Sequence, residues 1–181
     1  MSVGPRARAR GHRGLACCPG AGLLVLEAHP YGRLGFDVPP TPAIRARGGE
    51  DDVVYLGSFS KTFAPGLRVG WVVAPHAVRE KLVLASEATV LCPPQLNQLV
   101  VVDYLTTQDW RGQVEVFKDI YRERRDALLD ALAQLMPART NWAQPTGGVA
   151  ACITLTGGLV SQAIQPSAHR ARVASVPRLG C

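Results

Sequence analysis

Short continuous apolar runs occupy the first part of the chain and longer stretches of helical period follow them. Three runs, GLLVLEA (22–28), DVVYLGSF (52–59) and LRVGWVVAP (67–75), carry apolar residues without alternation, as strands covered on both faces of a parallel sheet do. The intervening GFDVPPTPAIRARGGEDD is too rich in proline and glycine for a long helix and reads as a loop. From His76 the period changes. HAVREKLVLASEATVL and PPQLNQLVVVDYLTT read as helices, the second with Pro93 and Pro94 placed to start it. DWRGQVEVFKDIYRERRDALLDALAQLMP (109–137) reads as one long amphipathic helix, with Val116, Ile120, Leu128, Leu132 and Leu135 near one stripe and RERRD opposite. At 1.5 Å per residue it spans about 40 Å, enough to bridge two regions. PTGGVAACITL (145–155) reads as a turn into a strand, and after Gly158 the patterning decays into a basic tail.

Charge changes this picture only once it is located. The 181 residues carry a net charge of +6 with 47% apolar and 19% charged positions, an ordinary globular composition. Arg6, Arg8, Arg10 and Arg13 at one end and Arg170, Arg172 and Arg178 at the other account for the excess, and no acid lies in either segment. The middle of the chain is close to neutral, so no basic groove for nucleic acid is expected. Cys17, Cys18, Cys92, Cys152 and Cys181 show no metal-ligand spacing, and scattered thiols fit a reducing, cytoplasmic setting. GLLVL is too short for a secretory core, and no stretch is long enough to span a membrane.

The candidate chemistry sits in GSFSKTFAPGLRVGW (57–71). A lysine after an apolar strand, in a turn of small residues and near an arginine, can be desolvated and lose its proton, and the free amine can form a Schiff base with an aldehyde. Ser58 and Ser60 add hydroxyl donors and Arg68 a fixed cationic fork, a combination suited to a phosphate dianion. An amine beside a phosphate site suggests pyridoxal 5'-phosphate.

With these residues in hand, YLGSFSKTFAPGLRVGWVVAP closely resembles the lysine segment of class I/II aminotransferases, the fold type I pyridoxal-phosphate enzymes. VLEAHPYGRLGFD, LCPPQLNQLVVVDYL, YRERRDALLDAL and PTGG extend the resemblance over roughly residues 15 to 160, towards 2-aminoadipate and related transaminases. It implies the α/β large domain of that fold, a mainly parallel sheet with flanking helices, plus the start of the small domain. The expected division is a basic, disordered 1–14, the C-terminal part of the large domain at 15–108, the bridging helix and start of the small domain at 109–160, and a divergent basic tail at 161–181. Lys61 is implied as the catalytic Schiff-base lysine and proton shuttle. Ser58 and Arg68 are implied as phosphate ligands with Ser60 beside them, and Tyr31 as the donor to the cofactor's ring oxygen. The implied reaction moves an amino group between an amino acid and a 2-oxo acid in a homodimer. A similar domain occurs in regulators of the MocR type, but no helix-turn-helix is seen ahead of this one.

Two departures qualify what the resemblance implies. The family places an aspartate three residues before the tyrosine, where it keeps the pyridine nitrogen protonated; here that position is Ala28. Glu27 and His29 flank it, but alternate strand residues face opposite sides, so both are expected to point away. Their ordinary readings are a solvated carboxylate at a strand end and a surface or core-edge histidine. The family's Asn-Pro-x-Gly turn would fall at or before residue 1, and its substrate-carboxylate arginine beyond the end, so a fragment is expected. The arginine-dense ends are consistent with a changed reading frame in a GC-rich gene, which sequencing the locus would test. The competing functions are a non-catalytic remnant that binds pyridoxal phosphate weakly through Lys61, and generic electrostatic binding of nucleic acid by the basic ends.

Overall fold

The structure is a computed structural model that describes residues 23–40, 42–47, 51–138, 140–155 and 161–173; the expected disorder of 1–14 and the arginine at 178 lie outside them. β2 (Val53–Ser58) is the middle of a three-stranded sheet. β1 (Val25–Ala28) pairs with it in parallel, Val25 opposite Val53 and Ala28 opposite Leu56. β3 (Gly70–Val73) pairs with it antiparallel, Tyr55 opposite Val73 and Ser58 opposite Gly70. The reading of the third run as another parallel strand is thereby corrected. Residues 59–69 are too few for the crossover of about a dozen or more that a parallel return needs, so the chain can only turn back.

Burial is also less even than three apolar runs predict. Val53 and Val54 of the central strand are buried, whereas Leu26 is 68% exposed and every residue of β3 is exposed. β1 and β3 are the edges of this sheet, and only the strand between them has neighbours on both sides.

α1 (His76–Val90), α2 (Gln95–Thr107) and α3 (Trp110–Leu135) fall where the period places them. Asp109 caps α3, its carboxylate accepting the Gly112 N–H at 2.9 Å. The inward face of α3 differs from the expected stripe. Val114 and Leu132 are its buried residues, whereas Val116, Ile120, Leu128 and Leu135 are exposed, Leu135 at 81%. On that inward side lie Lys118 and Arg125, whose side chains are only 13% and 14% exposed. RERRD is therefore partly an interior feature. The reason is what α3 lies against: loop 29–40 and the turn at 145–146 present carbonyl oxygens and a carboxylate, which need donors rather than methyl groups.

β4 (Asn141–Trp142) and β5 (Ile153–Thr154) form a short antiparallel pair that encloses the PTGG turn, and β5 is the strand expected after that turn. Gly148, at φ 85°, takes the left-handed backbone that bends the chain between them. α4 (Ser161–Arg170) forms where the sequence shows no period; Pro166 lies inside it and obscures its pattern. Cys92 is a free exposed thiol, whereas Cys152 is disulfide-bonded, which departs from the expectation of scattered thiols. No helix among the described residues is long and apolar enough to cross a membrane.

Candidate functional site

Open α/β sheets offer ligand sites beyond the carboxyl ends of their parallel strands, where loops leave in different directions. Here that end is set by β1 and β2. Ala28 lies opposite Leu56, and the His29 N–H continues the ladder to the Leu56 carbonyl at 3.0 Å. Tyr31 follows in the turn after β1, while Ser58 ends β2 and Ser60 and Lys61 lie in the turn after it. The antiparallel return brings Arg68 to the same place, two residues before the Gly70 that pairs with Ser58. The Phe59 N–H bonds the Val69 carbonyl at 3.2 Å and closes this turn. All five residues singled out by sequence thus lie at one end of the sheet, Ser58 at the end of β2 and the others in the segments that follow β1 and β2.

The Ser58–Arg68 turn is organised by local bonds. The Ser58 Oγ accepts the Ser60 N–H at 3.1 Å and donates to the Ser60 Oγ at 3.0 Å. Lys61 is half-buried and, among the described residues, its amine has no ion pair or hydrogen bond. Arg68 is exposed at φ 55°, a left-handed conformation that ends the 3-10 turn Pro65–Leu67. α2 braces this turn from outside: Asn97 Nδ2 donates to the Leu67 carbonyl at 3.0 Å, and the Phe63 ring stacks on Tyr104 with centroids 3.8 Å apart. The Tyr104 hydroxyl is buried without a hydrogen-bond partner among the described residues, and burial foremost, then the charge of Asp109, pushes its pKa up. Gly57 is required on the other side of β2, where a Cβ would stand 2.2 Å from the Trp71 ring. The sequence reading missed Asn97 and Tyr104, since nothing in a helical period says which face meets a turn.

The register also fixes what stands beside Ala28. Ala28, Leu56 and Ser58 share one face of the sheet, and Glu27, Tyr55 and Gly57 share the other. Glu27 is not the solvated carboxylate expected of it: it accepts the N–H groups of Ile44 and Arg45 at 2.8 and 3.1 Å and holds the 3-10 turn Arg45–Arg47. His29 Nδ1 lies 3.4 Å from the Tyr55 hydroxyl, with the two rings edge to face. Burial, and after it the Glu27 charge, raises the Tyr55 pKa, with Arg33 opposing. Both neighbours of Ala28 are thus engaged on the far side.

A cavity of 140 Å³ opens beside Ala28 and Tyr31, and Gly147 and Gly148 form its opposite wall. Backbone bonds join the two walls: Phe36 and Asp37 N–H groups reach the Thr146 carbonyl at 3.1 and 3.2 Å, and the Gly148 N–H reaches the Leu34 carbonyl at 2.8 Å. Leu34, fully buried, anchors the loop between them. Arg125 bonds Asp37 and the Pro145 carbonyl, and Arg122 bonds the Phe36 carbonyl. Among the described residues no cluster of His, Cys, Asp or Glu could hold a metal ion.

Comparison with known proteins places this geometry. The model of the family described as aminotransferase class I and II matches residues 20–168. Aromatic-amino-acid aminotransferase 1 of Thermococcus litoralis is 36% identical over 156 residues, 86% of this chain and 37% of the relative. The 2-aminoadipate transaminase of Thermus thermophilus is 35% identical over 159 residues, 86% of this chain and 40% of the relative. A crystal structure of Pyrococcus horikoshii kynurenine aminotransferase, in complex with PMP, superimposes with a TM-score of 0.87 at 34% identity, over 93% of this chain and 42% of that one. The chain thus spans about two fifths of the length of the curated relatives it matches. With the lysine turn, the parallel pair that carries it and the matched span in agreement, the chain belongs to the class I and II aminotransferase family.

Proposed function

We propose that this chain holds pyridoxal 5'-phosphate and serves amino-group transfer between an amino acid and a 2-oxo acid. The observation that carries the reading is the turn after β2, where bonded Ser58 and Ser60 hydroxyls, the Lys61 amine and the returning Arg68 stand at one end of the sheet. That donor set suits the group: two hydroxyls and a guanidinium for a phosphate dianion, and an amine without a competing partner among the described residues for an aldehyde. When bound, the cofactor supplies an electron-withdrawing ring that weakens the bond to the α-proton. Lys61 Nζ would hold the aldehyde and would move that proton. Ser58, Ser60 and Arg68 would bind the phosphate, and the Tyr31 hydroxyl would donate to the ring oxygen. Residues 15–108 supply the cofactor-binding part and 109–160 the start of a second domain. We infer a homodimer in the cytoplasm as the working form, acting on amino-acid and 2-oxo-acid substrates.

A second reading, binding without turnover, is favoured by one observation: Ala28 stands on the Ser58 face where a carboxylate would meet the ring nitrogen, and Glu27 is committed to Ile44 and Arg45 on the other face. Borohydride reduction after incubation with pyridoxal phosphate, with the modified lysine mapped by mass spectrometry, tests the binding common to both readings. Selective modification of Lys61, absent in Lys61→Ala, is expected; modification spread over exposed lysines and unchanged in the variant would overturn it. Release of a 2-oxo acid on adding an amino acid then separates transfer from binding alone.

A further inference from the structure

The cavity beside Ala28 has walls far apart in sequence, and charged side chains of α3 hold both. Arg125 Nη1 donates to Asp37 Oδ2 and, at 2.6 Å, to the Pro145 carbonyl. Arg122 Nη2 donates to the Phe36 carbonyl at 2.7 Å, and its Nε lies 3.5 Å from Asp37 Oδ1. Both guanidinium groups lie over the Phe36 ring, at 4.8 Å for Arg125 and 5.7 Å for Arg122. At the start of the same helix, Trp110 faces the Arg33 guanidinium at 5.0 Å, two residues beyond Tyr31. The loop that carries Tyr31 is therefore tied to α3 at Arg33 and at Phe36 and Asp37, and Arg125, which holds Asp37, also reaches the opposite wall.

We infer that Asp37 and Arg125 are positioning residues for Tyr31, the donor to the cofactor's ring oxygen in the reading above, fixing its loop against the 145–148 turn; of the five residues singled out by sequence, Tyr31 is the one that lines the cavity there. The inference rests on the pyridoxal-phosphate reading above. Leu34 anchors the loop in the core, but an apolar anchor does not choose a register along the opposing turn. Directional bonds from one planar guanidinium to a carboxylate and a carbonyl do. Asp37 accepts from Arg125 in a pair whose side chains are 34% and 14% exposed, so part of its strength escapes solvent screening. Arg125 is further held by Asp126, which bonds its Nε at 2.6 Å.

The test compares Asp37→Ala and Arg125→Lys with the wild type, and takes Asp130→Asn as a control, an exposed charge on α3 away from the clasp. Pyridoxal phosphate is titrated and the absorbance of the lysine-bound species is followed against pH. Asp37→Ala is expected to weaken binding about tenfold, the scale of losing a charge-assisted hydrogen bond. It is also expected to raise the pH midpoint of the absorbance change, because a misplaced Tyr31 donor stabilises the ring oxyanion less. Arg125→Lys keeps a charge and a donor and is expected to lose less. Amide exchange at Phe36, Asp37 and Gly148, whose acceptors span the two walls, should quicken in Asp37→Ala and not in Asp130→Asn. Should Asp37→Ala fail to fold, Asp37→Asn, which keeps an acceptor, carries the same readouts. Wild-type affinity and midpoint in the folded variant would overturn the inference while leaving the cofactor reading intact. A wild type that shows no selective Lys61 modification would overturn the cofactor reading itself and the positioning role with it, and amide exchange would still report whether the clasp holds the walls.

Discussion

The turn 58–68 and the loop 29–40 leave the same end of the β1–β2 pair, yet they are held by different means. The turn closes on itself through Ser58, Ser60 and the Phe59–Val69 bond, and α2 braces it through one amide and one stacked ring. The loop has two short-range bonds, Gly32 N–H to the His29 carbonyl and Leu34 N–H to the Tyr31 carbonyl, and one buried anchor, Leu34, but its place is fixed by Arg122, Arg125, Thr146 and Gly148, 86 to 114 residues away, the last from Leu34 to Gly148. Short-range bonds lose little chain entropy when they form, and long-range ones need the rest of the fold first. The difference teaches that a site can be half encoded by its own segment and half by surfaces that only assembly creates.

The comparison can be broken most severely at the chemistry itself. Lys61→Ala should abolish borohydride-trapped cofactor at the turn while leaving the unfolding midpoint and loop 29–40 unchanged, as read by peptide mapping and a thermal melt. Leu34→Ala attacks the loop's anchor; a fully buried leucine typically costs 2–5 kcal/mol, roughly the deepest single loss of stability expected here. Denaturant titration would show that loss, and exchange at Gly148 should rise with it while exchange at Ser60 does not.

A smaller change sharpens the contrast from the other side. Asn97→Ala removes the bond to the Leu67 carbonyl, worth about 1 kcal/mol, and should loosen only the Arg68 return. Binding of pyridoxal phosphate should then weaken severalfold while that of pyridoxal, which has no phosphate, stays as it was. The least effect is expected from acid. Arg125 foremost, then Arg122, holds the Asp37 carboxyl below the ordinary value of 3.8. A depressed folded pKa means the contribution of Asp37 is fully present above 3.8 and disappears only as pH falls through the lower folded value. Gly148 exchange, corrected for its intrinsic pH dependence, should therefore stay flat down to pH 3.8 and rise only below it; a rise with its midpoint at 3.8 or above would show that the clasp carries no charge coupling.

How far each region could be read from sequence follows the same division. The Lys61 turn was legible because its small residues, its amine and the arginine seven positions on act within one segment, and the strand before it is unmistakably apolar. The helices were legible because their period is local, and Asp109 marks the start of α3 as a cap should. The direction of β3 was hidden by its composition, since an apolar edge strand reads like a covered one. Glu27 was hidden too: a carboxylate at a strand end reads as solvated until Ile44 and Arg45 are brought to it. The inward face of α3 misled because Arg122 and Arg125 look like a solvated face until the carbonyls opposite them are in place.

The sequence by itself determined the strands β1 and β2, the helices α1 to α3, the family and the lysine turn, because propensity, periodicity and short-range hydrogen bonding act between residues near in the chain. Tertiary structure alone decided which helix face is interior, that Glu27 is engaged by Ile44 and Arg45, and that Asp37, Arg125 and Pro145 meet across the cavity. Those outcomes depend on which unsatisfied carbonyls and charges packing brings together, and a polar group finds its partner only once the fold has withdrawn both from water.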